Sequence, residues 1–195
     1  MLTIVWDVDD VLNDLMLQWF HLGWKAEHPD CPLHFAELTC NPPHEMLGIT
    51  REEYLASLDH FRNTEPGQHL SPNPEILEWF VACGDRFRHI ALTARPLETA
   101  PAVAAWVMRH FGDWIRCFGV VPSRSIPGEP VYDRTKADFL KWLKCGDILI
   151  DDADDNIRDA ETLGLKTFQV PQPWNKSSLT VAKMVSQLSD LAIRT

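Results

Sequence analysis

The sequence holds 195 residues, with 18 Lys and Arg against 28 Asp and Glu, and 45% of its positions are hydrophobic, which suits one ordinary globular domain carrying a small insertion. A formal charge of −10 excludes sequence-independent grip on a nucleic-acid polymer as the main role. No apolar run approaches the roughly 18 residues that span a bilayer, and the opening MLTIVWDVDD reaches acids before any signal-like apolar region, so a cytoplasmic protein with no membrane partner is expected.

Residues 2–8 make a nearly continuous apolar run, the pattern of a strand covered on both faces. A helix is predicted over 14–26, followed by a stretch rich in His, Pro and Cys and a short helix over 51–58. Residues 14–69 therefore read as a small helical insertion, with 1–13 and 70–195 forming the core. Asn73 can cap a helix that opens on Pro74, carries Ile76, Trp79, Phe80 and Cys83 at helical spacing and stops at Gly84. Beyond it, strands are predicted over 89–93, 148–150 and 167–170, and a weaker one over 117–121, where Gly119 lowers strand propensity. Helices are predicted between and after them, over 99–111, 133–145, 155–163 and 178–193. Strands alternating with helices imply an α/β fold, a Rossmann-like, mostly parallel sheet flanked by helices.

Five cysteines without a CxxC pair do not suggest a disulfide framework, and reduced thiols fit better. His28, Cys31, His34, Cys40 and His44 crowd one part of the insertion, but their spacing does not match a paired-cysteine finger, so a structural zinc is not expected there.

The acids are concentrated in two stretches, Asp7, Asp9, Asp10 and Asp14 in one and Asp151, Asp152, Asp154, Asp155 and Asp159 in the other. Each begins where an apolar strand ends, and the carboxyl ends of strands in an open parallel sheet are where ligands bind. Either stretch alone reads as a solvated loop. If the two strands are neighbours, however, four carboxylates converge, and their repulsion calls for a cation among them. An all-oxygen donor set favours Mg²⁺ over zinc. Thr93 ends a third apolar run and, with the backbone beyond it at Ala94, can hold phosphate oxygens. Lys136, near the start of a helix, can bring a compact positive charge to the same anion, and Arg95 can pair with an acid or with phosphate.

These residues, DVDDV at 7–11, Thr93 in ALTARP, Lys136 ahead of a helix and DDADDN at 151–156, resemble in order the four motifs of the haloacid dehalogenase (HAD) superfamily. The resemblance implies a HAD-type phosphatase, a hydrolase of phosphomonoesters. Asp7 would be the nucleophile that becomes an aspartyl phosphate, and Asp9 the acid and then the base. Thr93, Ala94 and Lys136 would hold the phosphoryl group, and Asp7, the Asp9 carbonyl and Asp152 would hold Mg²⁺, with Asp151 supporting the cation or Lys136. An Asp at position 9 argues for phosphoryl chemistry, since dehalogenases of the family carry Tyr there; Asp10 stands in a slot where Gly is common.

The DVDxVL opening, the compact helical insertion and TARP are most similar to the 5′(3′)-deoxyribonucleotidase branch, which implies a (deoxy)nucleoside monophosphate substrate and an insertion that closes over it as a cap. Trp19, Phe20, Trp24, Phe35 and Phe61 could offer a stacking ring to the base, although Trp19 and Phe20 read first as core. A sugar phosphate or another small phosphorylated metabolite is the nearest alternative. A non-catalytic module that senses a metal or a phosphorylated ligand is the rival from a different class.

Overall fold

The computed structural model describes residues 1–124, 128 and 130–193. In chain order the elements are strand β1 (Thr3–Trp6); helix α1 (Leu15–Gln18), running through a π-helical stretch at Trp19–Trp24 into α2 (Lys25–Glu27); α3 (Arg51–Arg62); α4 (Glu65–Gln68); α5 (Pro74–Cys83); β2 (Arg88–Arg95); α6 (Ala100–Phe111); β3 (Ile115–Pro122); α7 (Lys136–Leu143); β4 (Ile148–Asp151); α8 (Asp154–Thr162); β5 (Lys166–Gln169); and α9 (Val181–Ile193). No helix among the described residues is long and apolar enough to cross a membrane.

Every strand pairing is parallel and the strand order is β3-β2-β1-β4-β5. The two-residue period of a strand divides its side chains between two buried layers. Ile4 and Trp6 of β1 join Phe80 of α5, Val107 of α6 and Leu188 of α9 on one face. Val5 joins Leu149, Leu140 of α7 and Ala160 of α8 on the other. Burial on both faces explains the unbroken apolar runs that predicted these strands. The chain builds outward from β1 through β2 to β3, then returns to lay β4 on the opposite side of β1. The strand order thus reverses between β1 and β4, and the crevice outside their carboxyl ends is the place where such sheets take ligands.

Residues 15–70 gather a second core of their own, with Trp19, Phe20, Tyr54, Leu58 and Phe61 at its centre. The helix predicted over 51–58 continues to Arg62, because Tyr54, Leu58 and Phe61 keep one buried stripe going. Thr50 and Glu53 start this helix as a reciprocal cap: Glu53 N donates to Thr50 Oγ1 at 3.2 Å and Thr50 N to the Glu53 carboxylate at 2.8 Å.

Two glycines are also explained by close packing. Gly119 does not break β3; a Cβ there would stand 2.7 Å from Phe139 Cζ and 3.0 Å from Leu92 Cδ1, so its absence lets α7 lie close to the sheet. Gly84 ends α5 with φ −60°, an ordinary right-handed value, and a Cβ there would stand 2.7 Å from Trp114 Cδ1, so its absence makes room for that ring.

His89 lies buried among Trp6, Trp79 and Phe80. Trp6 Nε1 can only donate, so at 3.0 Å it fixes His89 Nδ1 as acceptor, and His89 Nε2–H then donates to Gly84 O at 2.7 Å. Burial holds this imidazole below the ordinary histidine pKa, although the Gly84 carbonyl pulls it up. The unfolded chain therefore takes the proton first as pH falls through about 6.5, and the stability that neutral His89 contributes is lost on the acid side. Urea unfolding should find wild type more stable than His89→Gln by about 1 kcal/mol at pH 7.5, with the gap closing by pH 5. A gap independent of pH would contradict this account.

Candidate active site

Asp7 leaves β1 with its N–H still donating to Ile150 O at 2.9 Å, so the pairing with β4 carries one step past the strand and sets Asp7 beside Asp151. Val8, between Asp7 and Asp9, is fully buried and pins the turn to the core. Lys136 opens α7, which Thr135 caps by accepting from Asp138 N at 3.1 Å. Its ammonium is buried and stands 2.7 Å from both Asp7 Oδ2 and Asp151 Oδ2. The other Asp151 oxygen accepts from Ala153 N at 2.9 Å and Asn156 Nδ2 at 3.0 Å. Asp152, next along, accepts from Trp174 Nε1 at 2.7 Å. Asp7, Asp151 and Asp152 each bring one carboxylate oxygen within 4.8 Å of the others.

Burial pushes the Asp7 carboxyl well above the usual range; Lys136 pulls it down, and Asp151, Asp152 and Asp9 push it up again. Asp152 is pushed up to about 7, first by burial and then by Asp151. Burial works against the charge on Lys136, but Asp151 and Asp7 outweigh it, so the lysine stays an ammonium. One fixed cation thus faces three acids, and a bound divalent ion would relieve the remaining repulsion. The donors are hard oxygens, and no cysteine or histidine appears among the described residues lining the cavity, which fits Mg²⁺.

Asp9 points to a different partner. Arg95 Nε donates to its Oδ2 at 2.6 Å and Arg95 Nη2 to its Oδ1 at 2.5 Å, a two-pronged pair, with Arg62 Nη2 a further 3.5 Å away. Burial raises the Asp9 carboxyl, but Arg95 and Arg62 more than cancel it and hold Asp9 below the ordinary carboxylate range. From Asp9 the alternation of charge runs outward: Arg62 to Asp59 at 2.8 Å, Asp59 to Arg124 at 2.5 Å and Arg124 to Glu98 at 2.6 Å. Asp10 occupies the left-handed region, φ 60°, which the sharp turn needs and which Asp tolerates better than most residues. Its Oδ1 accepts from Met16 N at 2.9 Å at the start of α1, which gives an acid a structural reason to stand where Gly is common in the resembled family.

The Thr93 hydroxyl is buried and finds no hydrogen-bond partner among the described residues, while Ala94 beyond it is exposed. Both line a cavity of about 260 Å³ together with Asp7, Asp9, Asp10, Lys136, Asp152 and Asn156. Its outer wall comes from the helical segment and the loop after β3, with Tyr54, Leu55, Leu58, Asp59, Arg62 and Arg124. Trp19, Phe20, Trp24 and Phe61 lie inside the second core, and Phe35 packs against that core; none of these five lines the cavity. A base-stacking role for them is thus at odds with their placement, because a helical stripe that builds a core has no face left for a ligand. Motif spacing brought together Asp7, Asp9, Thr93, Ala94, Lys136, Asp151 and Asp152. It missed Arg62, Asp59, Arg124 and Trp174, whose only local signal is the helical spacing of Asp59 and Arg62.

No family model and no curated protein matches the chain. Solved structures do. A haloacid dehalogenase-like hydrolase of Streptococcus pneumoniae is 14% identical with a TM-score of 0.63, over 100% of this chain and 99% of that one. A HAD-superfamily hydrolase of subfamily IA from Geobacter sulfurreducens is 12% identical with a TM-score of 0.52, over 96% of each chain. A candidate haloacid dehalogenase-like hydrolase of Bacteroides fragilis is 13% identical with a TM-score of 0.60, over 93% of this chain and 91% of that one. At such identities the likeness is one of fold, and the chain has the Rossmann-like α/β architecture of HAD-superfamily hydrolases.

Proposed function

We propose that this protein is a Mg²⁺-dependent phosphatase that hydrolyses a small phosphomonoester through an aspartyl phosphate on Asp7. The observation that carries this reading is the convergence, at the point where the strand order reverses, of buried carboxylates on one buried ammonium beside a buried hydroxyl that no described residue satisfies. A buried Thr93 Oγ1 left unsatisfied calls for a ligand oxygen. The fold shared with HAD hydrolases and the motif order in the sequence support the same reading.

In this scheme Asp7, Asp152 and the Asp9 carbonyl hold Mg²⁺, which, when bound, supplies positive charge to the phosphoryl oxygens. Asp151 serves differently, since both its oxygens are engaged by Lys136, Ala153 and Asn156. It holds Lys136 in place. Lys136, Thr93 Oγ1 and the Ala94 backbone then receive the phosphoryl oxygens, whose charge grows in the transition state. An Asp7 oxygen attacks phosphorus, the ester oxygen leaves with a proton from Asp9, and water deprotonated by Asp9 later releases phosphate. The Arg95 pair keeps Asp9 as a carboxylate, ready to take a proton from water; to act first as an acid, Asp9 must loosen from Arg95 and take up a proton from solvent.

Residues 14–69 act in this proposal as the cap that faces the leaving group. A (deoxy)nucleoside monophosphate is the narrower candidate. The cavity of about 260 Å³, with Tyr54 as its aromatic side chain among the described lining residues, favours a sugar phosphate or a comparably small phosphorylated metabolite.

A panel of nucleotides and sugar phosphates, assayed with and without Mg²⁺, tests the proposal. Mg²⁺-dependent turnover that Asp7→Asn abolishes is expected; no turnover on a broad panel would favour a non-catalytic sensor. At a hundredfold excess over its Kd, Mg²⁺ should add about 2.7 kcal/mol to stability, a rise in Tm of about 5–10 °C for a chain of this size. An unchanged melting curve would argue against a preformed cation site. Lys136→Met should cost about 3–5 kcal/mol by leaving two buried carboxylates unpaired, and the stabilisation by Mg²⁺ should then be larger than in wild type.

A further inference from the structure

The loop that follows β5, residues 170–177, holds both acidic turns. Asn175 Nδ2 donates to Asp152 O and Val170 O, at 2.8 Å each. Gln172 Nε2 donates to Asp10 O at 2.8 Å. Trp174 Nε1 donates to Asp152 Oδ2 at 2.7 Å, so one oxygen of this carboxylate is held by the indole. The same indole packs against the second core and meets the Phe35 ring edge-on, with centroids 6.0 Å apart and planes at 87°. Trp174 therefore touches a proposed cation ligand with its polar edge and the helical segment with its apolar body.

We propose that Trp174 is a positioning residue that orients Asp152 toward the cation and ties cation binding to the seating of the helical segment. The inference rests on the Mg²⁺-dependent reading above. A carboxylate with one oxygen held by an indole N–H cannot rotate freely, so its remaining oxygen is presented to the ion in advance. Outer groups that orient a metal ligand in this way are commonly worth about 10–100-fold in metal affinity. The second half follows from rigidity: an indole is one planar unit, so displacing Phe35 shifts the ring that carries the N–H.

Trp174→Phe removes the donor and keeps an aromatic body against Phe35; Phe35→Ala removes the support and keeps the donor. Calorimetric titration with Mg²⁺ should show Kd rising about tenfold or more in Trp174→Phe and by a smaller factor in Phe35→Ala. Melting in EDTA should show Trp174→Phe as folded as wild type. In turnover, the Mg²⁺ concentration for half-maximal rate should rise in Trp174→Phe while kcat at saturating Mg²⁺ stays within about twofold, a split that loss of packing alone would not produce. An unchanged or tighter Kd in Trp174→Phe, with wild type binding Mg²⁺ normally, overturns the positioning role alone. An unchanged Kd in Phe35→Ala overturns the tie to the helical segment. Absence of Mg²⁺ binding in wild type overturns the parent reading and this inference together.

Discussion

A single buried ammonium holds the two acidic turns together. Lys136 Nζ stands 2.7 Å from a carboxylate at the end of β1 and 2.7 Å from one at the end of β4, strands that pair directly at the centre of the sheet. Without it two carboxylates would face each other in a region closed to water, an arrangement that low polarity makes expensive. Everything else at the site is arranged around that constraint. Thr135 begins α7 where Lys136 can reach both acids, Gly119 lets α7 lie against the sheet, and Asn156 and the Ala153 amide satisfy what Lys136 leaves open on Asp151.

The same arrangement divides labour among neighbouring acids. Asp151 is enclosed and fully engaged by protein donors, so its charge is spent on Lys136. Asp152, one residue on, is held by the Trp174 indole and stands clear of Lys136's two ion pairs. Asp9 is drawn away from both by the Arg95 fork and belongs to a chain of alternating charges that reaches Arg62 and Asp59 on α3. Burial pushes the Asp7 and Asp152 carboxyls up, whereas Arg95 and Arg62 outweigh it at Asp9 and hold that carboxyl down.

Much of this was legible in the sequence, for a physical reason. Strands buried on both faces leave unbroken apolar runs, and an acid placed immediately after such a run has to sit at a strand end. Asp7, Thr93 and Asp151 are visible on that logic, and the Asn73–Pro74 start of α5 on the logic of orphaned N–H groups. Arg62, Arg124 and Trp174 were not visible, since each reaches the site by tertiary packing of a helix or loop whose local pattern says nothing about its neighbours. Trp19 and Phe20 lie in a core, the reading put first for them, while the stacking reading of Trp24, Phe35 and Phe61 failed for a related reason. A Trp or Phe on a helical stripe looks the same whether it fills a core or faces a ligand, and here Trp19, Phe20, Trp24 and Phe61 fill a core. Gly84 ends α5 as its position after Cys83 suggests, and it also makes room for Trp114, which no local pattern announces.

The strand order has a consequence for how the molecule comes into being. Because β4 lies against β1 but is made after β2 and β3, a chain emerging from the ribosome exposes its first acidic turn long before Lys136 and β4 exist to answer it. Residues 1–122 supply three of the strands, yet they hold Asp7 without its counter-charge. Charge balance and the closing of β4 onto β1 therefore come only with residues 136–151, and a product truncated before Lys136 would lack both.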